Sequence, residues 1–214
     1  MWPLSMEMMM QDYLAVAREA ARAAGTKLKD NISGTREIIH KGEINLVTEM
    51  DRLSEKLIVE SLRGAFPKHG ILAEEGSAAE SQSGFVWVID PLDGTTNYAH
   101  GYPSFSVSIG LESEGQIVLG VVFDPMRDEL FTAVHGNGAF LNGQLIHVSQ
   151  HSLLIKSLLA TGFPYDRTVS RENNLDLFNA LIMESQEVRR SGSASLDLCA
   201  VAAGRLDGYW ELKL

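Results

Sequence analysis

The chain has 214 residues, 45% of them hydrophobic, and 19 glycines, a composition typical of a globular protein that buries a substantial core. Its formal net charge of −10 does not favour a surface that attracts nucleic acid or anionic lipid. No apolar run approaches the roughly 20 residues that a membrane-spanning helix needs. Cys199 is the one cysteine, so no internal disulfide can form, and we expect a reducing, cytoplasmic setting.

The first elements in chain order are two predicted helices. Apolar residues recur at helical spacing from Asp12 to Ala24, and Gly25 is the expected C-terminal cap. A second helix is predicted to begin near Thr48, where Thr48 and Asp51 resemble a capping box, and to end at Gly64. Its expected buried stripe consists of Leu53, Leu57, Ile58 and Leu62.

The middle of the chain changes to short apolar runs that are typical of strands. The first two runs stop at acidic residues, Glu74 and Asp90. The pair Asn142-Gly143 predicts a two-residue hairpin turn further on. The expected strands cover 71–73, 85–89, 105–111, 117–123 and 130–134.

The last third of the chain mixes strand and helix signals. A strand is expected over Lys156 to Thr161, a helix from Leu175 to Ile182, and another helix from Ala194 to Ala203 that ends at Gly204. Trp210, Leu212 and Leu214 alternate as a strand does. No linker or repeat divides these elements, so the pattern favours a single domain of layered helices and sheets over residues 1–214.

The distribution of charge predicts a metal site. Between Lys68 and Arg127 there is no lysine or arginine, yet this stretch contains eight carboxylates. Acidic side chains without cationic neighbours repel each other, so a fold that gathers them does so most economically around a metal ion.

The segment from Asp90 to Thr96 carries the strongest part of this prediction. Asp90 and Asp93 flank a proline whose fixed φ predicts a turn, and both carboxylates can then face one point together with the carbonyl of Leu92. Hard cations such as Mg²⁺ prefer such oxygens. Glu74 supplies a further ligand from a different loop, as in two-metal sites. Gly94 lets a phosphate approach the backbone, where N–H groups act as anion donors if a helix begins.

Two further residues are candidates for catalysis. The hydroxyl of Thr95 can orient a water molecule, and Asp51 can accept the hydroxyl proton. Each residue also has an ordinary structural interpretation, because an acid in the first turn of a helix is favoured by the dipole and a threonine can cap a helix. Asp90 and Asp93 could likewise be turn residues that cap backbone amides. Lys41 is interpreted as a solvated turn residue, with phosphate contact as the alternative.

The remaining candidates are interpreted as structural. Cys199, on an apolar helix, is expected to be a core residue. His69, His100 and His135 stand singly without metal-ligand spacing, and no role is assigned to them.

These motifs together resemble those of the inositol monophosphatase family of Mg²⁺-dependent, lithium-sensitive phosphatases. The segments that match, in the expected order, are Leu46-Val47-Thr48-Glu49-Met50-Asp51, Ala73-Glu74-Glu75-Gly76, Trp87-Val88-Ile89-Asp90-Pro91-Leu92-Asp93-Gly94-Thr95-Thr96-Asn97 and Gly192-Ser193-Ala194-Ser195-Leu196-Asp197. The resemblance implies an α/β fold, an αβαβα sandwich of the inositol monophosphatase and fructose-1,6-bisphosphatase type, and a homodimer.

The resemblance also assigns roles to residues. It implies that Glu74, Asp90, the Leu92 carbonyl and Asp93 bind metal, and that Gly94 and Thr95 bind phosphate. Thr95 with Asp51 would activate water. The substrate contacts are then Leu92, Asp93, Gly94, Thr95, Ala194 and Glu211, of which Ala194 and Glu211 face the polyol.

The expected reaction is hydrolysis of a small polyol phosphate monoester, inositol 1-phosphate first among the candidates. Fructose 1,6-bisphosphate, histidinol phosphate and 3′-phosphoadenosine 5′-phosphate are the rival substrates within the family. Family members continue past Glu211 to a Trp-Asp pair whose Asp ligates the second metal, so we expect the chain to be part of a longer protein. A non-catalytic, truncated metal-binding protein is the alternative from another class.

Overall fold

The computed structural model describes residues 4–33, 38–40 and 46–214. Two long helices, α1 (Leu4–Asn31) and α2 (Glu49–Ala65), pack against each other and against one face of a large sheet. Two short strands, β1 (Ile38–His40) and β2 (Leu46–Thr48), pair antiparallel between them. Lys41 lies outside the described residues. No helix in the described part of the chain is long and apolar enough to cross a membrane.

The large sheet has eight strands in the order β10-β9-β8-β7-β6-β5-β3-β4. All its neighbours are antiparallel except β3 and β5, which run parallel. Every strand predicted in the middle of the chain is present. The strands are β3 (Gly70–Ala73), β4 (Ala78–Ala79), β5 (Phe85–Asp93), β6 (Ser106–Ser113), β7 (Gln116–Asp124), β8 (Glu129–Val134), β9 (Ala139–Leu141) and β10 (Gln144–Leu145).

Alternate residues of the central strands form the core beneath α1 and α2. Their side chains on this face are almost fully buried: Trp87, Ile89, Val107, Ile109, Leu111, Leu119, Val121 and Phe123. This period of two is what the sequence predicted for a sheet with one covered face. The predicted hairpin is confirmed, because Asn142 and Gly143 have φ values of 49° and 80° and join β9 to β10.

A smaller sheet lies beyond the large one. It has the order β12-β11-β13 with parallel pairing, and α5 contacts both this sheet and strands β6 and β7 of the large sheet. Helix α4 contacts β12. The layers therefore follow the order helix, sheet, helix, sheet, helix. The elements are β11 (Leu158–Thr161), α4 (Leu175–Glu184), β12 (Glu187–Arg189), α5 (Ala194–Ala202) and β13 (Gly208–Trp210).

Three predictions about the helices and strands need correction. The first helix does not end at Gly25 but continues to Asn31. A Cβ at Gly25 would lie 2.5 Å from Cδ1 of Phe123, so the glycine allows α1 to approach β7 closely instead of capping the helix. The strand expected from Lys156 begins at Leu158, after a 3₁₀ turn (Leu154–Lys156). The last strand ends at Trp210 and does not include Leu212 or Leu214.

Candidate active site

The two aspartates of the predicted metal site are brought to one side of the sheet by a bulge in β5. Asp90 pairs with Ser108 and Asp93 with Ser106, so β5 has one residue more than β6 between these pairs. In a regular strand, residues three apart point to opposite faces. The extra residue resets this alternation, and Asp90 and Asp93 lie on the same face. The proline at position 91 therefore lies within the strand, rather than in a turn that ends it as predicted.

Three acids form a cluster near the ends of strands β3 and β5. The pKa of Asp90 is raised well above its ordinary value by burial, by the charges of Asp93 and Glu74, and by a side-chain hydrogen bond with Glu74. The backbone N–H of Leu92 donates a 3.0 Å hydrogen bond to Oδ1 of Asp90, and this bond lowers the pKa of Asp90. Gathered carboxylates of this kind fit a divalent cation, which removes the repulsion.

The side chains of this cluster do not form a complete set of metal ligands in the present arrangement. Within the described ranges, no three Asp, Glu, His or Cys side chains are placed together as a ready-made metal site. Asp93 instead directs Oδ2 to the start of α5, where it accepts hydrogen bonds from the Ser193 hydroxyl (2.7 Å), the Ser195 N–H (2.7 Å) and the Ser195 hydroxyl (2.6 Å). The metal-ligand roles of Glu74, Asp90, Leu92 and Asp93 stay predictions.

The predicted catalytic pair is in contact. The hydroxyl of Thr95 lies 3.1 Å from Oδ1 of Asp51 and 3.1 Å from the carbonyl oxygen of Leu92. Asp51 is almost fully buried on α2, and Thr95 is the first residue of the short helix α3 (Thr95–Ala99). Residues 44 positions apart in the sequence are thus joined beside the acid cluster.

Gly94 begins this short helix in a conformation that other residues rarely adopt. Its φ is 98°, in the left-handed region, and a Cβ at this position would lie 3.0 Å from the Ser104 carbonyl and 3.2 Å from the Gly192 carbonyl. Both the backbone angle and the available space therefore require glycine here. The phosphate-binding role of Gly94 stays a prediction.

Helix α2 holds the site together through polar side chains on its buried face. Asp51, Ser54 and Glu55 follow helical spacing, and all three are nearly inaccessible to solvent. The Ser54 hydroxyl donates to the carbonyl of Pro91 (3.0 Å). The Glu55 carboxylate accepts the backbone N–H groups of residues 75 (2.7 Å) and 77 (3.0 Å), in the turn that follows Glu74.

The sequence prediction for α2 was wrong at one position of its apolar stripe. Leu53 is 40% exposed, and the sheet-facing side is shared by Ser54 and Glu55. A polar residue can replace an apolar one at this interface because each of its buried oxygens has a backbone partner. The sequence signal for such residues is their position, three or four after Asp51.

Two loops bring distant residues to the same place. The side-chain amide of Asn97 donates to the carbonyls of Ser104 and Ser191, both at 2.7 Å, and so ties α3 to the start of α5. Ala194 is the first residue of α5, between the two serines that contact Asp93. Asn97 belongs to the motif of the sequence analysis, which gave it no role.

Glu211, the predicted polyol-contacting residue that directly follows the last strand, is oriented by its neighbours. Glu211 accepts a hydrogen bond from the Tyr209 hydroxyl, and a side chain at Gly162 would overlap the Glu211 carboxylate. Asp197 lies nearby, and its pKa is raised to about 6, chiefly by burial and further by the charges of Asp93 and Glu211. Asp197, on α5, and Glu211 therefore belong to the same acidic region as Asp93. The polyol-contacting roles of Ala194 and Glu211 stay predictions.

Sequence reasoning missed one aromatic residue of this region. Tyr165 is 59% exposed as a residue, and the partial burial of its phenol, together with the charges of Glu74, Asp93, Asp90 and Glu211, raises its pKa. A tyrosine in a loop carries no spacing signal, so the sequence alone could not identify it.

A cavity of about 590 Å³ opens beside Glu74 and Asp90 on the face of the sheet opposite α1 and α2. Apart from these acids and Ser108, its lining is apolar or glycine, with Leu72, Val88 and Ile117 among the residues. An apolar wall offers no partner to a phosphate. The polar end at Glu74 and Asp90 is the part that suits a charged ligand.

Comparison with known proteins decides the family. A family model described as the inositol monophosphatase family matches residues 9–214. The chain belongs to the inositol monophosphatase family. It is a phosphoric monoester hydrolase.

Relatives and solved structures agree with this family. The chain is 48% identical to the inositol-1-monophosphatase of Synechocystis sp. over 204 residues, which cover 94% of this chain and 71% of that protein. It is 44% identical to the Nus factor SuhB of Pseudomonas aeruginosa, covering 96% of this chain and 78% of that one. A solved inositol monophosphatase from Anabaena (Nostoc) sp. superposes with a TM-score of 0.86 at 48% identity, covering 96% of this chain and 76% of that one. The predicted layered α/β fold of the inositol monophosphatase type is confirmed.

Proposed function

We propose that this phosphatase hydrolyses the phosphate monoester of a small polyol, with inositol 1-phosphate as its preferred substrate and Mg²⁺ as its cofactor. The observation that carries the proposal is the contact between Thr95 and Asp51 beside the clustered carboxylates. The relatives named inositol-1-monophosphatase and inositol monophosphatase support the choice of substrate.

The donor set fits the proposed cation. Glu74, Asp90, the carbonyl of Leu92 and Asp93 would hold Mg²⁺, because carboxylate and carbonyl oxygens are the ligands that this ion prefers. When bound, Mg²⁺ would supply positive charge that stabilises a hydroxide nucleophile and the oxygen that leaves with the polyol. The acidic cluster alone would repel an anionic substrate, so the cation also permits the phosphate to bind.

Thr95 and Asp51 would orient and activate the attacking water. The Thr95 hydroxyl donates its proton towards Oδ1 of Asp51, which leaves lone pairs on Oγ1 to accept a hydrogen bond from the water. Asp51 would then take up the proton that Thr95 passes on as the water attacks phosphorus. Because Asp51 is buried on a helix, its carboxylate is held in place before the substrate binds.

The remaining contacts would fix the substrate. The backbone at Gly94 and Thr95 would bind the phosphoryl oxygens, and Leu92 and Asp93 would line the same side. Ala194 and Glu211 would contact the polyol hydroxyls. The carboxylate of Glu211 accepts hydrogen bonds, so it is suited to hydroxyl groups and unsuited to a second phosphate.

Membership of the family and the net charge of the chain support further proposals. We infer a cytoplasmic homodimer that acts on a small molecule and binds neither membrane nor nucleic acid. Several relatives are named Nus factor SuhB. The net charge of −10 opposes direct, charge-driven contact with nucleic acid by this chain.

Phosphate release from a panel of monoesters tests the proposal. Inositol 1-phosphate, fructose 1,6-bisphosphate and histidinol phosphate would be compared at equal concentration, with Mg²⁺, with EDTA, and with Mg²⁺ plus lithium. We expect the highest kcat/KM for inositol 1-phosphate, loss of release in EDTA, and inhibition by lithium. A higher kcat/KM for either other ester would overturn the substrate, and undiminished release in EDTA would overturn the cofactor.

A further inference from the structure

One oxygen of Asp93 accepts an unusual number of hydrogen bonds from a distant part of the chain. Three donors converge on Oδ2: the hydroxyls of Ser193 and Ser195 and the backbone N–H of Ser195. Their distances of 2.6 to 2.7 Å are those of charge-assisted hydrogen bonds. Because all three donors meet Oδ2, Oδ1 takes no part in this contact.

The contact replaces the usual cap of helix α5. Ser193 is the N-cap residue, and a serine there normally accepts the N–H of the second or third helical residue. Its side chain makes no such bond and donates to Asp93 instead. The N–H of Ser195, the second helical residue, goes to the same carboxylate oxygen. Asp93, from a strand of the large sheet, thus caps a helix that begins about 100 residues later.

The protons of this network can be assigned by counting donors. A carboxylate can only accept, so the single proton of the Ser195 hydroxyl points to Asp93. Ser106 Oγ lies 2.6 Å from Ser195 Oγ, so Ser106 must donate to Ser195. Ser106 is fully buried on β6, beneath the start of α5. The chain of donors therefore runs from Ser106 through Ser195 to Asp93.

We propose that the Ser195 hydroxyl is a positioning residue that fixes Asp93 with Oδ2 turned to α5 and Oδ1 presented for the metal ion. This inference rests on the proposed function, in which Asp93 is a metal ligand. In this role Ser195 is not itself a metal ligand, and its effect passes through the hydrogen bonds that it makes to Asp93. Residues that orient a ligand in this way commonly change metal affinity by roughly 10- to 100-fold when they are removed.

Ser195→Ala is the test variant, and Ser191→Ala is its matched control. Alanine at position 195 keeps the backbone N–H bond to Asp93 and removes only the hydroxyl bond. Ser191 precedes the same helix, is partly buried as Ser195 is, and directs its hydroxyl to Asp197 rather than to Asp93. Binding of Mn²⁺ is measured by electron paramagnetic resonance of the free ion at neutral pH, and the free energy of unfolding in EDTA is measured by urea titration.

We expect Ser195→Ala to weaken Mn²⁺ binding by roughly tenfold or more, while Ser191→Ala stays within about twofold of the wild type. A purely structural role would lower the free energy of unfolding but leave the Mn²⁺ affinity unchanged, and that result would overturn the inference. Equal weakening by both variants would also overturn it.

The two proposals fail in different ways. If the wild-type protein leaves the Mn²⁺ signal untouched, the proposed metal-dependent function fails, and the role of Ser195 fails with it. If the wild type binds Mn²⁺ and Ser195→Ala binds it equally well, the positioning role alone is wrong.

Discussion

The Thr95 hydroxyl and the Asp51 carboxylate are 3.1 Å apart, although one residue begins a short helix after β5 and the other lies in the first turn of α2. The same hydroxyl is 3.1 Å from the carbonyl of Leu92, so its one proton is shared between two acceptors. A hydroxyl held at the junction of three elements has its orientation fixed, which is what activation of a water molecule requires.

Replacing Thr95 by alanine tests its role in the chemical step. Thr95→Ala should lower kcat by about 100-fold or more, as loss of a group that assists proton transfer does, and should change KM for inositol 1-phosphate much less. Steady-state kinetics with saturating Mg²⁺ provide both constants.

The neighbouring Thr96 provides the control for this measurement. It is exposed, and Thr96→Ala should retain nearly full activity. An effect of Thr95→Ala that is confined to KM would contradict the water-orienting role, because a group that acts only in the transition state changes kcat.

Asp93 combines a predicted metal-ligand role with the cap of α5, and two substitutions separate them. Asp93→Asn should abolish Mg²⁺-dependent phosphate release but leave the fold intact, because the amide oxygen can still accept the N–H of Ser195. Asp93→Ala should in addition lower the free energy of unfolding by about 1–3 kcal/mol, since it removes the cap and leaves buried donors without an acceptor. Urea titration of both variants measures the difference. Activity near the wild-type level in Asp93→Asn would remove Asp93 from the mechanism.

Glu55 should be more important for stability than other acids on α2. It is 5% exposed, and its carboxylate satisfies two backbone N–H groups in the turn after Glu74. Glu55→Ala should lower the free energy of unfolding by about 2–6 kcal/mol, because it orphans two donors at about 1–3 kcal/mol each. Glu60→Ala, on the exposed side of the same helix, should cost at most about 0.5 kcal/mol. Equal losses in the two variants would show that the Glu55 contacts contribute little.

His69 should make the protein less stable in acid. Its ring lies among Tyr13, Phe66, Phe85 and Trp87, and burial lowers its pKa. Among the described residues, its Nδ1 is one of two buried side-chain nitrogen or oxygen atoms without a hydrogen-bond partner. A proton then binds His69 more readily in the unfolded chain than in the folded one. The stability contributed by the neutral ring is therefore complete above about pH 6.5, and it is lost as the pH falls through the lowered pKa of His69 in the folded protein.

A variant that lacks only this histidine isolates the effect from the other titrating groups. His69→Phe keeps the ring stacking, and the difference in unfolding free energy between wild type and variant should shift against the wild type by at most about 1.4 kcal/mol per pH unit below pH 6.5. Urea titrations at pH 7.5 and pH 5.5 give this difference. A difference that is the same at both pH values would show that His69 is not held neutral by the fold.

The sequence predicted the fold well where a single physical signal dominated. The period of two in the central strands and the Asn142-Gly143 turn were both confirmed, because each depends on residues close together in the chain. Gly25 was misinterpreted, since the reason for a glycine there is the distant ring of Phe123. Leu53 was misplaced because hydrophobicity alone could not show that Ser54 and Glu55 have backbone partners in the core.

The residues of the site could be predicted from the sequence, but most of the contacts that position them could not. The motifs identified Asp51 and Thr95, and the structure joins them directly. The bulge that aligns Asp90 with Asp93 depends on pairing with β6, and its one signal in β5 itself, Pro91, was interpreted as a turn. The contact of Asp93 with Ser193 and Ser195 joins residues about 100 positions apart, and only the packing of α5 between the two sheets brings it about.

The most direct test of the central claim is the anomalous diffraction of Mn²⁺ in crystals of the protein. The account predicts a peak coordinated by the carboxylates of Glu74, Asp90 and Asp93 and by the carbonyl oxygen of Leu92, within hydrogen-bonding reach of a water next to Thr95. Anomalous density bound elsewhere in an active protein, with these oxygens too far apart to share an ion, would contradict it.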